Sequence, residues 1–499
     1  MKSLKGKVSK LMYLIRSAFE SHSRIIAFFI VFAFIAYYNV IHKAGTPFYY
    51  DSGQYWSLQY SFTREGVWSL LHYDNALRGY LLPLVFYTIS AIAGLLGITD
   101  TLLLGLVKAI VYSAGITIAM PFIVEKLFHR KVTLSQIWFF AIFVIIFWRG
   151  YFYYPLADFT ALFSIIFGLY LVLLPSSRIV LGRGPLVVVS LVFAGMLWAA
   201  ATNIRPSYLI ALAPLVGWSF LYNKNINKYP LKKCVSLSLA VLLGMFIALY
   251  PQYVINAHNF DKHTPFVLAE LEGRNLYLQQ LNWGIIMQKY ETNVGTVYPV
   301  PPVRFFDLHG KRLIANVGAQ PKNLGEYIEL VLQYPTDFAV IYARRLFNGL
   351  DVTYHSAYTS NILQNAIGIR LINYSILFLA LWYLVRKRWR NFLELKMALP
   401  FILVLPSLVA IPTAIEVRFM LPLFFIIYTI VSYFVVPEFL ALWRDSTQKG
   451  KISFPSRLKG VDVPIKWFVF YILFLVICFT LSMNAFMGLE FGNYLLHAR

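Results

Sequence analysis

Charge is what this chain has least of. Only 13% of its 499 residues are charged, against about 25% in soluble domains. That scarcity excludes a soluble globular protein, which must cover its surface with polar groups. Acid is scarcer than base, with 22 Asp+Glu against 44 Lys+Arg and a net charge of +22. Cysteine is nearly missing: Cys234 and Cys478 both fall at or inside apolar runs, so no disulfide framework is suggested. No Asp/His group has metal-ligand spacing, so no metal is required. Runs of alternating apolar and polar residues are absent, which excludes a transmembrane β-barrel.

What is present is apolar. Hydrophobic residues make up 59% of the chain, mean hydropathy is +0.64, and several runs exceed the ~18 residues that cross a bilayer as a helix. The expected fold is an all-α polytopic membrane protein. Lys2, Lys5, Lys7, Lys10, Arg16 and Arg24 precede the first run and put the N-terminus in the cytoplasm by the positive-inside rule. Small cleavage-site residues do not follow that run, so 24–41 reads as an uncleaved signal anchor. About eleven spans follow the alternation: 24–41, 102–124, 133–148, 159–175, 185–201, 207–221, 234–252, 366–385, 397–415, 419–443 and 467–486. Segment 80–98 makes a twelfth if it crosses, but then EKLFHRK (125–131) falls outside. It is therefore read as a juxtamembrane or re-entrant element.

In this layout most of the basic excess lies in cytoplasmic segments. It is an orientation signal and an attraction to anionic lipid headgroups rather than a nucleic-acid footprint. The chain divides into an N-terminal transmembrane module (1–252) with outer loops at 42–101 and 149–158, a small extracytoplasmic region (253–365), and C-terminal helices (366–499). The 253–365 region holds a proline-rich turn, YPVPPVRFF (298–306), and two amphipathic helices. The first begins near NLGEYIELVLQYP, and Pro335 opens the second.

The remaining ionisable groups collect at the expected outer border. Asp51 stands in TPFYYDSGQYWS, ten residues past the first span. His72, Asp74 and Arg78 lie in SLLHYDNALRGY, Arg149 and Asp158 flank YFYYPLA, Arg205 lies in TNIRPS, and Glu416 and Arg418 lie in TAIEVRFMLP. Each has a plain structural role open to it. Asp158 can cap a helix, Arg205 and Arg418 can snorkel, Glu416 can pair with Arg418, Asp74 and His72 fit a turn and a surface, and Lys108 can snorkel or meet a lipid phosphate. Together they fit glycosyl transfer from a lipid phosphate. A positioned carboxylate takes the proton of the attacking hydroxyl, worth ~10²–10⁴-fold, and guanidinium forks hold the departing phosphate. Tyr50, Gln54 and Tyr55, beside Asp51, join Arg78, Arg149, Arg205, Glu416 and Arg418 as candidate substrate-binding residues.

These landmarks, namely Asp51 in a long first outer loop, LRGYLLPL, LFHRK, YYPLAD, TNIRPSYL, YPTDFAVIYARRL and EVRFMLP, resemble the GT-C superfamily of integral-membrane glycosyltransferases. Bacterial members similar to protein mannosyltransferases and to the lipid A aminoarabinose transferase show a similar order. The resemblance implies an inverting transfer on the outer face of the cytoplasmic membrane. A polyprenyl-phosphate-linked sugar is the donor, and a cell-surface glycan, a lipid-linked saccharide or a protein is the acceptor. It implies Asp51 as base, Asp158 as an assisting acid, and Arg205 and Arg418 on the lipid phosphate. No cofactor is required, while a divalent cation, magnesium or manganese, bridging Asp51 and the phosphate is compatible. Two features depart from the family pattern: Asp51-Ser52 replaces an Asp-Glu pair, and RGYLLP replaces His-Pro-Pro. Rival readings are a glycan polymerase or ligase, with a dispensable Asp51, and a lipid-linked sugar flippase or transporter, with mid-membrane charges and internal repeats.

Overall fold

The computed structural model describes residues 23–174, 184–295, 302–360, 366–386, 395–440 and 465–490. Among them, eight helices are long and apolar enough to cross a membrane: Ser23–His42, Asp100–Phe128, Leu134–Tyr153, Gly184–Ile204, Leu231–Phe260, Ile367–Arg386, Val417–Leu440 and Trp467–Met487. Leu81–Leu96, Ala157–Leu173 and Ala398–Ala410 are shorter apolar helices. Most of the basic residues used for orientation, including those before Arg24 and those of 441–464, lie outside the described residues.

Segment 80–98 is the 16-residue helix Leu81–Leu96. At ~1.5 Å per residue it is shorter than the ~30 Å hydrocarbon core. It ends at Gly97 with φ +66°, a left-handed cap that suits glycine, and the chain turns directly into Asp100–Phe128. The expected amphipathic pair in the long loop forms as Leu324–Gln333 and Pro335–Leu350, with Pro335 at the start of the second helix.

Small residues set the tightest helix contact. A Cβ at Gly195 would lie 1.9 Å from the carbonyl oxygen of Val241, and one at Gly244 would lie 1.9 Å from that of Val192. The Gly184–Ile204 and Leu231–Phe260 helices thus cross backbone to backbone, as small residues permit in membranes. One hydrophobic core runs from Ala27 to Val435, and a second cluster gathers Leu281, Phe306, Leu313 and Phe338.

Two expectations need correction. The fold is not all-α: Met287–Asn293 and Pro302–Phe306 pair antiparallel and are flanked by Tyr358–Thr359 and Leu489–Glu490 in a four-stranded sheet. Part of the expected proline-rich turn is therefore a strand. Pro302 stands at its first position, where the missing N–H does least harm, while 298–301 lie outside the described residues. Lys108 neither snorkels nor faces lipid. It is 7% exposed, and its Nζ donates to the carbonyls of Tyr153 at 3.0 Å and Tyr154 at 2.5 Å, meeting acceptors that the end of the Leu134–Tyr153 helix leaves open.

The sheet also fixes sidedness. Leu489–Glu490, just past the last apolar helix, joins strands of the 253–365 region, so both lie at one end of the helix bundle.

Candidate active site

Asp51 is in the first turn of the helix Tyr50–Ser57, where a carboxylate suits the positive end of the backbone dipole. The turn into that helix is strained, because Tyr50 has φ +41°, rare for a bulky side chain. Neighbours over-determine it. The Tyr50 hydroxyl donates to the carbonyl of Asn293 at 3.4 Å, and the Ser52 N–H donates to the Tyr358 hydroxyl at 3.0 Å. Ser52 is fully buried and donates to the Tyr49 carbonyl at 2.6 Å. An acid at this position, as in the family pattern, would bury a charge; serine fits instead.

Arg78 is positioned by a turn and by what lies beneath it. Asn75 Oδ1 accepts from the backbone N–H of Arg78 at 2.8 Å, and the Tyr73 hydroxyl donates to the Arg78 carbonyl at 2.9 Å. Gly79 packs so closely on Asn203 that a Cβ would lie 2.1 Å from the Asn203 carbonyl oxygen. Asn203 donates to Gln252, and Gln252 to Asn256, each at 2.8 Å. This buried amide chain holds the LRGY segment onto two membrane helices.

These elements converge on a charge network. Arg78 Nη2 meets Asp51 Oδ1 at 3.1 Å, and Arg418 Nη2 meets Asp51 Oδ2 at 2.7 Å. Arg418 also binds Glu416 at 2.7 Å and reaches Asp158 at 3.8 Å. Asp158, in the first turn of Ala157–Leu173 and 3% exposed, is ion-paired with Arg205. Arg78 also donates to the Tyr55 hydroxyl at 2.9 Å and stacks its guanidinium 4.5 Å from that ring's centroid. Three carboxylates and three guanidiniums alternate, with Arg418 at the hub. Burial pushes the Asp51 carboxyl up, but Arg418 and Arg78 outweigh it and hold the group at about 2.

A cavity of about 220 Å³ opens on this network, lined by Tyr50, Asp51, Tyr290, Thr292, Tyr358, Glu416 and Arg418 among others. It is smaller than drug-sized sites of ~300–1,000 Å³. A larger groove of about 820 Å³ between Arg274–Asn282 and Gln320–Leu324 has no carboxylate in its lining. The Tyr290 hydroxyl is hydrogen-bonded to Glu416.

The structure thus brings together Asp51, Asp158, Tyr50, Tyr55, Arg78, Arg205, Glu416 and Arg418. It does not bring in the other two candidates. Gln54 is exposed with no side-chain contact to the network. Arg149 donates to the Ile146 carbonyl at 3.2 Å and lies beside Tyr38 and His355. Asp74 pairs with Arg64 at 2.6 Å on the exposed surface, and His72 contacts the Phe62 carbonyl at 3.3 Å; both are surface fittings. Sequence reasoning missed Tyr290, Thr292 and Tyr358. The sequence offered no signal for them: MQKYETN does not alternate apolar and polar residues, and Tyr290 and Thr292 share a face only because the segment forms a strand.

Among the described residues no group of three or more His, Cys, Asp or Glu side chains is arranged to hold a metal ion. Comparison of the chain with protein-family models, with curated proteins and with solved structures finds no match in any of the three.

Proposed function

We propose that the chain is an inverting membrane glycosyltransferase. It moves a sugar from a polyprenyl-phosphate carrier to a glycan, lipid-linked saccharide or protein acceptor at the end of the bundle where Asp51 lies. The observation that carries this reading is one ionised carboxylate, Asp51, 32% exposed and gripped by two guanidiniums, in the lining of a small cavity with Tyr290, Glu416 and Arg418. A single base serves a direct displacement. Asp51 takes the proton of the acceptor hydroxyl, the hydroxyl oxygen attacks the anomeric carbon, and the bond to the phosphate oxygen breaks.

At a pKa of about 2 the resting carboxylate is a weak base, since general bases work best near the operating pH. Its basicity rises when an incoming phosphate draws off one of its arginines, because the opposite charge beside it is what depresses its proton affinity. Arg78, which among the described residues pairs with Asp51 alone, is freer to leave than Arg418, which Glu416 and Asp158 also hold. A divalent ion bridging Asp51 and the phosphate would need the same displacement, as both Asp51 oxygens are engaged.

The polymerase reading makes Asp51 dispensable, and its double engagement argues against that. The transporter reading calls for charges at mid-membrane. The network instead joins helix ends and loops.

The test is transfer in membranes expressing the chain, with a set of radiolabelled polyprenyl-phosphate sugars. One donor is expected to pass its label to an acceptor while polyprenyl phosphate is released. Label that stays on every carrier would contradict the proposal.

A further inference from the structure

Arg149 leads to a second group of cations with the opposite design. It lies one turn from the end of Leu134–Tyr153. The next residue, Gly150, donates its N–H to the His355 carbonyl at 2.8 Å, and a Cβ there would lie 2.4 Å from that of Ser356. Arg149 and the His355 segment are therefore locked together. Across from them the Ser23–His42 helix ends. His42 stacks on Tyr38 with centroids 5.0 Å apart, and the Lys43 ammonium sits 5.9 Å from the same ring. Among the described residues no carboxylate pairs with Lys43, Arg149, His42 or His355. Burial, reinforced by Arg149, Lys43 and His42, holds the His355 imidazole down at about 4. Burial is the larger cause, and the added effect of Arg149, Lys43 and His42 gives the surroundings a net positive field.

Such a field at the end of two apolar helices calls for an anion, and its surroundings say which kind. Ile30, Phe34, Tyr37 and Ile41 are 51%, 36%, 59% and 62% exposed. They follow helical spacing, form one apolar stripe, and run up to His42 and Lys43. A hydrocarbon chain lying on that stripe places its polar end at the cations.

We infer that Lys43, Arg149 and His355 bind the phosphate of an anionic membrane lipid whose chain lies along the exposed face of the Ser23–His42 helix. Tyr49, Tyr154 and Tyr358 wall this site off from the Asp51 network, with centroids 6.2 Å (Tyr49–Tyr154), 5.8 Å (Tyr49–Tyr358) and 4.5 Å (Tyr154–Tyr358) apart. His355 and Tyr358 belong to one short segment, so the two sites are neighbours. The inference stands whether or not the chain transfers sugar.

It is tested by binding alone, with the purified full chain in neutral detergent and a fluorescent phosphatidic acid as probe. Phosphatidylcholine of the same chains and sodium phosphate serve as competitors. Each basic residue near a phosphate-bearing lipid contributes about fivefold in affinity. The Lys43→Gln/Arg149→Gln variant is therefore expected to bind the probe about 25-fold more weakly, and Lys233→Gln, which removes a charge elsewhere, to bind as wild type does. Phosphatidylcholine and millimolar sodium phosphate are expected not to compete. Should the double variant fail to fold, Lys43→Arg/Arg149→Lys keeps both charges and should keep the affinity, while Lys43→Gln alone should lose about fivefold. Equal competition by phosphatidylcholine, or unchanged binding by the neutralised variants, would overturn the site. Competition by free phosphate would overturn the lipid as its ligand.

Discussion

Two groups of basic residues border the same end of the helix bundle, and they treat charge in opposite ways. Around Asp51 every guanidinium has a carboxylate: Arg78 and Arg418 share Asp51, and Arg205 has Asp158. Around Tyr38, Lys43 and Arg149 have none among the described residues. Proximity to a border does not make an arginine a phosphate ligand. What it can bind depends on whether its charge is already spent on a neighbour. Arg205 and Arg418, matched to the lipid phosphate on the strength of the resemblance, are neutralised in the resting protein. Arg149, placed with them by position, is not.

If that contrast holds, removing an acid from the paired network should cost far more than removing a cation from the unpaired group. Asp158→Ala strands Arg205 and part of Arg418 in the interior. Breaking a buried pair in this way costs about 3–5 kcal/mol, seen as a large fall in thermal stability in detergent. Arg149→Gln should leave stability within about 0.5 kcal/mol, and an equal loss from both would erase the distinction.

The network also sets a pH signature. Asp51 titrates at about 2 against an ordinary ~3.9. A depressed carboxylate contributes stability that is present above the ordinary value and is lost as pH falls toward the folded one. Arg78→Gln removes one depressing charge and should move the acid limb of kcat/KM upward, toward ~3.9. A limb that stays in place or moves down would show that Arg418 alone governs Asp51. A modest effect is expected at the wall between the groups. Tyr358→Phe removes the hydroxyl that shares the Ser52 N–H with the Tyr49 carbonyl, a change of about 0.5–1 kcal/mol, with a several-fold loss of transfer as the Asp51 turn loosens. Unaltered transfer would mean that the turn is held by other contacts.

Much of this was legible in the residues. Long apolar runs dictate helices whatever their neighbours are, so the eight long apolar helices and the amphipathic pair at 324–350 could be read directly. Polar groups interrupting those runs at one border marked Asp51, Asp158, Arg205, Glu416 and Arg418. The pairing was not legible, because Asp51 meets Arg418 only through the packing of helices more than three hundred residues apart. Arg149 was misplaced for the same reason: helix rotation decides which neighbour it meets, and Gly150 ties it to His355. The strand at Pro302–Phe306 was hidden by prolines that read as a turn, and Tyr290, the fourth residue of the strand Met287–Asn293, had no local mark of function. Lys108 looked like a lipid-facing cation because its carbonyl partners lie on another helix.

The central claim is that Asp51 acts through its negative charge and its capacity to take a proton. Asp51→Asn keeps the size of the side chain and removes both. With the donor found in the membrane assay, the single-turnover transfer rate of this variant should fall by about 10²–10⁴-fold while thermal stability shows that the protein remains folded. A folded Asp51→Asn protein that transfers sugar at the wild-type rate would contradict the account.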